Sequence, residues 1–369
     1  MRSLREITDL KDKKVLLRVD FDVPVSDEGQ IEETFRIKKQ KETINYLVER
    51  GAKVVMVAHI SDKSVDQSFS TLMPQLHILL GCEINFLKTV SDIGVYLENY
   101  AGLALLENIR KNIGEKENDS EFALSLSKGF DVYVNNDFAV CHRNHASVSG
   151  INKLLPNYAG FVVEEEVASL SRAVNSPKEG KIIIIGGAKA ENKIPVIKNF
   201  LDKADRVLVG GVVANDILKE KGYDIGSSIV DENSKEFLSD LDLNSPQLII
   251  PKDFNISENK ILDIGRETIK DFSEIIKNAK TIIWNGPMGL FEDKRFVEGT
   301  RAIAQAVADS DAFKVVGGGD TISAIGKFGL GGKFDFSASS GQVFVSTGGG
   351  AMLAFLSGDK LPGLEALEN

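Results

Sequence analysis

The sequence predicts an α/β protein made of two doubly wound parallel-sheet lobes. Three observations lead there. Short β-branched apolar runs alternate with helix-like stretches along the whole chain. Those runs are apolar on consecutive positions, which suits strands buried on both faces of a parallel sheet. The chain has 369 residues, enough for two cores of ordinary size.

In the first half the strand candidates are KVLLRV (14–19), KVVMVA (53–58), LALLEN (103–108) and DVYVNN (131–136). Between the first two lies RIKKQKETINYLVERG (36–51). Its Ile37, Ile44, Leu47 and Val48 form one apolar stripe, and Gly51 is a stop signal. The stretch 158–180 reads as an amphipathic helix ending at Ser176-Pro177. It is expected to connect the lobes as a hinge. The second half repeats the pattern with KIIIIGG (181–187), RVLVGG (206–211), QLIIP (247–251), TIIWNG (281–286) and FKVVGGGD (313–320). Helices are expected at 192–204 and 295–309, and a flexible surface loop at DFSASSGQ (335–342).

Composition narrows the function. Hydrophobic residues at 43% and charged residues at 27% are usual for a folded soluble chain. A net charge of −10 argues against nucleic acid and against an anionic membrane surface. Basic groups that meet an anionic ligand must therefore be placed locally. Cys82 and Cys141 lack metal or redox spacing. The opening MRSLREITDLKDKK has no apolar stretch of the signal-peptide kind, and a cytoplasmic setting is expected.

Ligands of open α/β sheets bind beyond the carboxyl ends of the strands. Five glycine clusters of the second half fall at such ends: GGAK (186–189), GG (210–211), NGPMG (285–289), GGGDT (317–321) and STGGGA (346–351). Glycine lets backbone approach a phosphate closely, and helix N-termini offer free N–H groups. Nucleotide phosphates are the expected ligand. No loop fits the pattern G-x-x-x-x-G-K-[ST], so this is not a P-loop protein. Lys189 and Lys193 read as one helical turn apart at a helix start, a place where a cation gains nothing from the helix dipole. An anionic ligand explains them. Asp320 is placed to cap a helix or to reach Mg²⁺. In the first half Asp20, Asp22, Arg36, His59, Arg110 and the run HRNH (142–145) stand at strand ends or helix starts. Arginines so placed can clamp a carboxylate or phosphate.

These residues carry a resemblance to the phosphoglycerate kinase family over nearly the whole chain. RVDFDVPV (18–25), VAHI (57–60), LLENIR (105–110), HRNHASVSGI (142–151), GGAKAENKI (186–194), LDIG (262–265), WNGPMGLFE (284–292), GGGDT, STGGGA and LPGLEAL (361–367) occur in the family's order. The resemblance implies two Rossmann-like lobes joined by a helical hinge. It places a first lobe at 1–158, the hinge at 159–176, a second lobe at 177–354, and a tail at 355–369 that returns to the first. It implies phosphoryl transfer between 1,3-bisphosphoglycerate with ADP and 3-phosphoglycerate with ATP, with Mg²⁺, in a monomer. The acceptor would meet Asp20, Phe21, Asp22, Arg36, His59, Ile60, Ser61, Asp62, Arg110 and Arg143. The nucleotide would meet Lys189, Lys193, Gly211, Asn285, Pro287, Glu292, Gly318, Gly319, Asp320 and Thr321, with Asp320 on the metal. Arg36, Lys193, Gly348 and Gly349 would surround the group in flight.

Against that family the chain departs at three acceptor-site positions, and its first lobe is trimmed between residues 61 and 104. The family motif has asparagine at Asp22, and glycine and arginine at Ser61 and Asp62. By charge alone the acceptor site is more negative than the pattern, and two charges ~4 Å apart interact by roughly 4 kcal/mol at an effective dielectric of ~20. Lys38, Lys39 or Lys63 would be the compensating cations. On this count Asp22→Asn with Asp62→Arg should tighten phosphoglycerate binding. The alternative function is a nucleotide-binding protein with lost or altered acceptor activity.

Overall fold

A computed structural model describes residues 1–63, 67–334 and 341–367. Residues 335–340 of the expected surface loop lie outside the described residues. The chain divides into two compact units, one of Met1–Val167 with Lys360–Asn369 and one of Ala168–Asp359.

The first unit is built on a six-stranded sheet of β1 (Lys14–Arg18), β2 (Lys53–Val57), β3 (Asn85–Leu87), β4 (Leu103–Leu106), β5 (Val132–Asn135) and β6 (Asn157–Ala159). The order is β3-β4-β2-β1-β5-β6, and every pairing is parallel. Successive strand side chains point to opposite faces. Val15, Leu17, Val54 and Met56 accordingly enter one core, while Leu16, Val55 and Val57 enter a second on the other face. That is why the strand sequences are apolar without alternation. The helix Phe35–Glu49 buries Ile37, Ile44 and Leu47 as its stripe requires, and also Gln40 and Thr43. Those two polar groups are satisfied by Asn136, which follows β5: Asn136 Nδ2 donates to Gln40 Oε1 at 2.7 Å, and Thr43 Oγ1 donates to Asn136 Oδ1 at 3.0 Å.

The second unit carries a six-stranded parallel sheet of β7 (Lys181–Ile185), β8 (Arg206–Val209), β9 (Leu248–Ile249), β12 (Thr281–Asn285), β13 (Phe313–Gly317) and β14 (Val343–Val345). Its order is β14-β13-β12-β7-β8-β9. An antiparallel hairpin of β10 (Phe254–Ser257) and β11 (Lys260–Ile264) stands apart from it. Chain order reverses between β7 and β12, so the switch point of the sheet lies between their carboxyl ends.

Two local expectations change. The stretch 158–180 is not all helix: Asn157–Ala159 is strand β6 paired to β5, and the helix runs Phe161–Val174. The division between the units falls inside that helix. The return of the chain begins later than 355, because Gly350–Ser357 is a helix of the second unit and only Lys360–Asn369 joins the first. There Leu361 and Leu367 are buried and Gly363 N donates to Cys141 O at 2.9 Å. Among the described residues no helix is long and apolar enough to cross a membrane.

Candidate active site

In the first unit the polar residues collect beyond the carboxyl ends of β1, β2, β4 and β5. Arg18, the last residue of β1, is their hub, with its side chain only 1% exposed. Its Nη1 lies 2.8 Å from Asp137 Oδ2, its Nε donates to Ser147 Oγ at 3.2 Å, and its Nη2 meets His59 Nδ1 at 2.9 Å. A guanidinium can only donate. His59 Nδ1 is therefore the acceptor, and the imidazole proton sits on Nε2. That N–H faces Asp22 Oδ2 at 3.2 Å. Asp22 Oδ1 accepts from Ser61 N at 2.7 Å, and Ser61 Oγ donates to Asp22 Oδ2 at 3.4 Å. Ser61 Oγ in turn accepts from Arg110 Nη1 at 2.9 Å.

The electrostatics follow from this chain. Burial alone would raise the Asp22 carboxyl, but the hydrogen bond and charge of His59, the Ser61 amide and Arg110 outweigh it and hold the group well below the usual carboxylate range. Burial, with Arg18 beside it, lowers His59. Burial and the repulsion of Arg143 and Arg18 lower Arg110 to about 10. Burial and Asp137 push Asp20 up to about 8 against the pull of Arg36, whose Nη1 is 3.7 Å from Asp20 Oδ2. Arg110 Nε, Arg110 Nη2 and Arg143 Nε are buried without a partner. An unpaired buried donor costs about 1–3 kcal/mol. Three of them lie on two mutually repelling guanidiniums.

Two expected contacts are not side-chain contacts. Phe21 is core, edge-to-face with Phe69 at 6.2 Å between centroids, and Ile60 is equally buried. Neither side chain is open to a ligand.

The five glycine clusters of the second unit follow β7, β8, β12, β13 and β14, which are consecutive in the sheet. At the switch point backbone packs on backbone. Gly186 N donates to Asn285 O at 3.0 Å, Gly187 N to Pro287 O at 2.6 Å, and Gly211 N to Met288 O at 2.9 Å. Gly286 has φ +97° and a Cβ there would overlap Gly186 O, so no other residue fits. Thr321 Oγ1 accepts from Gly286 N at 2.7 Å and fixes the turn.

A pocket opens beside this crossing. Gly211, Pro287, Glu292 and Asp320 line it, and Ile229, Phe254, Ile261, Met288 and Leu290 give it apolar walls. Lys189, Lys193, Asn285, Gly318, Gly319 and Thr321 are not among the lining residues. Lys189 and Lys193 do not share a helical turn. Lys189 has φ +64° outside any helix, and Lys193 precedes the helix Ile194–Phe200. Lys193 Nζ donates to Gly186 O. Burial lowers its ammonium to about 8, with Asp320 and Asp231 opposing that and Lys189 adding to it. Asp320 does not cap its helix. Gly318 is the N-cap and Asp320 stands exposed in the first turn of Gly319–Lys327. Asn285 Nδ2 is buried without a partner. Gly348 N donates to Ser346 Oγ at 3.0 Å, while Gly349, with φ +49°, caps the helix Gly350–Ser357.

Sequence reasoning missed Arg18, Asp137 and Asp231. The signal for Arg18 was an arginine inside an apolar strand. Asp231 gave none: its carboxylate accepts from Ala190 N across 41 positions of chain.

The sequence profile that describes phosphoglycerate kinase matches residues 4–359. The chain belongs to the phosphoglycerate kinase family. It is therefore a phosphotransferase. It is 37% identical over 396 residues to the phosphoglycerate kinase of Coprothermobacter proteolyticus, covering 100% of this chain and 98% of that one. It is 38% identical over 388 residues to that of Herpetosiphon aurantiacus, covering 97% and 96%. Among solved structures, phosphoglycerate kinase from Pyrococcus horikoshii superposes with a TM-score of 0.84 at 32% identity, covering 100% of this chain and 98% of the other. That from Coxiella burnetii gives 0.82 at 33% identity, covering 99% and 98%.

Within the phosphoglycerate kinase frame, the departures at 22, 61 and 62 are internally engaged. Asp22 and Ser61 bond each other, and Asp62 Oδ2 accepts from Val25 N at 2.9 Å. Asp62 is thus tied to the segment after β1 rather than directed simply to solvent. Of the cations considered as replacements, Lys39 pairs with Glu165 at 2.9 Å, and Lys38 and Lys63 are exposed.

Proposed function

We propose that the chain transfers a phosphoryl group reversibly between 1,3-bisphosphoglycerate and ADP, yielding 3-phosphoglycerate and ATP. The P–O bond to the carboxyl oxygen breaks as a β-phosphate oxygen of ADP bonds to the same phosphorus. The observation that carries the acceptor half is the set of unpartnered donors on Arg110 and Arg143. They suit the phosphate of the acceptor, with Asp20, Arg36 and His59 arranged around its remaining polar groups. The apolar pocket of the second unit suits a purine, Glu292 the ribose hydroxyls, and the glycine loops with Lys193 the phosphates.

Phosphoryl transfer asks the protein for in-line positioning and charge stabilisation. Arg36, Lys193 and the backbone of Gly348 and Gly349 would supply the charge and the donors around the equatorial oxygens. Asp320 is exposed on the pocket wall, and no cluster of three or more His, Cys, Asp or Glu forms a metal cage among the described residues. Asp320 would hold, as a single carboxylate, Mg²⁺ that arrives with nucleotide phosphates. When bound, the ion would neutralise phosphate charge. The helix Phe161–Val174, which spans the division between the units, would act as the hinge that brings the reactants together and excludes water. The enzyme is expected to act as a cytoplasmic monomer.

A coupled assay of ATP formation from 1,3-bisphosphoglycerate tests the proposal. Protein that binds ADP but gives no turnover would overturn it.

A pH dependence follows from Lys193. Its free ammonium, lowered to about 8, loses its proton as pH rises through that value. A bound phosphate favours the charged form, so nucleotide binding just above pH 8 should take up a proton and weaken as pH rises further. Titration calorimetry in two buffers of different ionisation enthalpy measures the uptake. Lys193→Met should abolish it.

A further inference from the structure

The acceptor site contains a contact set that phosphate binding by itself does not require. Arg110 uses one of its nitrogens on protein: Nη1 donates to Ser61 Oγ at 2.9 Å, while Nε and Nη2 are buried without a partner. Ser61 is itself held at two atoms by Asp22, through Ser61 N at 2.7 Å and Ser61 Oγ at 3.4 Å. Asp22 is held by His59 Nε2, whose tautomer Arg18 sets from the buried end. The next residue, Asp62, ties the same loop to Val25 N. An arginine side chain has high rotamer freedom, and fixing it before the ligand arrives removes that cost from binding.

We propose that Asp22 and Ser61 form a clasp that orients Arg110, and that Ser61 is a positioning residue for the acceptor's phosphate. The clasp explains why a carboxylate stands at position 22. Two fixed donors, His59 Nε2–H and Ser61 N–H, face its two oxygens. Asparagine has one acceptor oxygen and would turn its amide NH₂ against the other donor. Asp22→Asn alone therefore weakens acceptor binding, the reverse of the expectation from charge. The proposal rests on the first unit being the acceptor site.

The test compares Ser61→Ala, which removes the hydroxyl, with Ser61→Thr, which keeps it. A hydrogen bond to a charged group is worth enough to change affinity about tenfold or more. Ser61→Ala should raise KM for 3-phosphoglycerate about tenfold and move KM for ATP less than about twofold. Ser61→Thr should restore most of the loss. Calorimetric titration with inorganic phosphate separates the clasp from the identity of the acceptor. If the wild type binds phosphate but does not turn over 3-phosphoglycerate, the functional reading fails and a loss in Ser61→Ala still supports the clasp. Equal phosphate affinity in wild type and Ser61→Ala, no phosphate binding by the wild type, or a parallel rise in both KM values overturns it.

Discussion

Replacing Arg36 with alanine lowers turnover by about a thousandfold while nucleotide affinity stays within twofold. Arg36 opens the helix Phe35–Glu49 and is only partly covered. Its Nη1 donates to Asp22 O at 3.3 Å and stands 3.7 Å from Asp20 Oδ2, and its Nε is 3.9 Å from Glu33 Oε2. These loose contacts leave the guanidinium able to meet charge that develops only as the phosphoryl group moves. A charge that acts in the transition state is lost from kcat, in addition to any acceptor binding that Arg36 also supplies. Every residue lining the pocket proposed for the nucleotide belongs to the second unit, so nucleotide binding has no reason to change. Single-turnover kinetics together with ADP titration check both halves. A large fall in ADP affinity would show that the assignment of roles to the two units is wrong.

The largest effect on stability is expected at Arg18. Arg18→Met leaves Asp137 buried and without its cation, which costs about 3–5 kcal/mol. Asp137 is fully buried and 2.8 Å from Arg18 Nη1, so solvent cannot compensate. The double change Arg18→Met with Asp137→Leu should recover most of that loss, because apolar groups of similar volume can replace a buried pair. It should not recover acceptor affinity, since His59 Nδ1 keeps no donor and its tautomer is released. Denaturant unfolding followed by a probe in the first unit measures the first effect. KM for 3-phosphoglycerate measures the second. A single variant that loses less than about 1 kcal/mol would refute the account of the buried pair.

The parts of this fold that were legible in the sequence are those whose physics is local. Central strands such as Lys181–Ile185, four consecutive isoleucines after Lys181, are apolar on successive positions because both faces are covered, and that reads directly. Two of the edge strands do not read that way. Asn85–Leu87 and Asn157–Ala159 have three residues each, and pairing to a neighbour makes them strands where composition does not. The same division holds in the site. The glycine clusters read from the sequence do fall at strand ends of the second unit. The meaning of Asp22, Ser61 and Asp62 depended on contacts 37 to 39 positions apart, which no spacing rule supplies. Counting charge gave a repulsive acceptor site, whereas the contacts give a carboxylate matched to two donors.

The first unit is discontinuous in the chain, Met1–Val167 being joined by Lys360–Asn369. During synthesis this has an order to it. The whole of the second unit, Ala168–Asp359, leaves the ribosome before the residues that bring Leu361 and Leu367 to their buried places and Gly363 to Cys141 O. The unit begun first is therefore completed after the second. Until Lys360–Asn369 is made, the first unit lacks the segment that covers the Cys141 and Val148 neighbourhood, while the second unit already has every strand of its sheet.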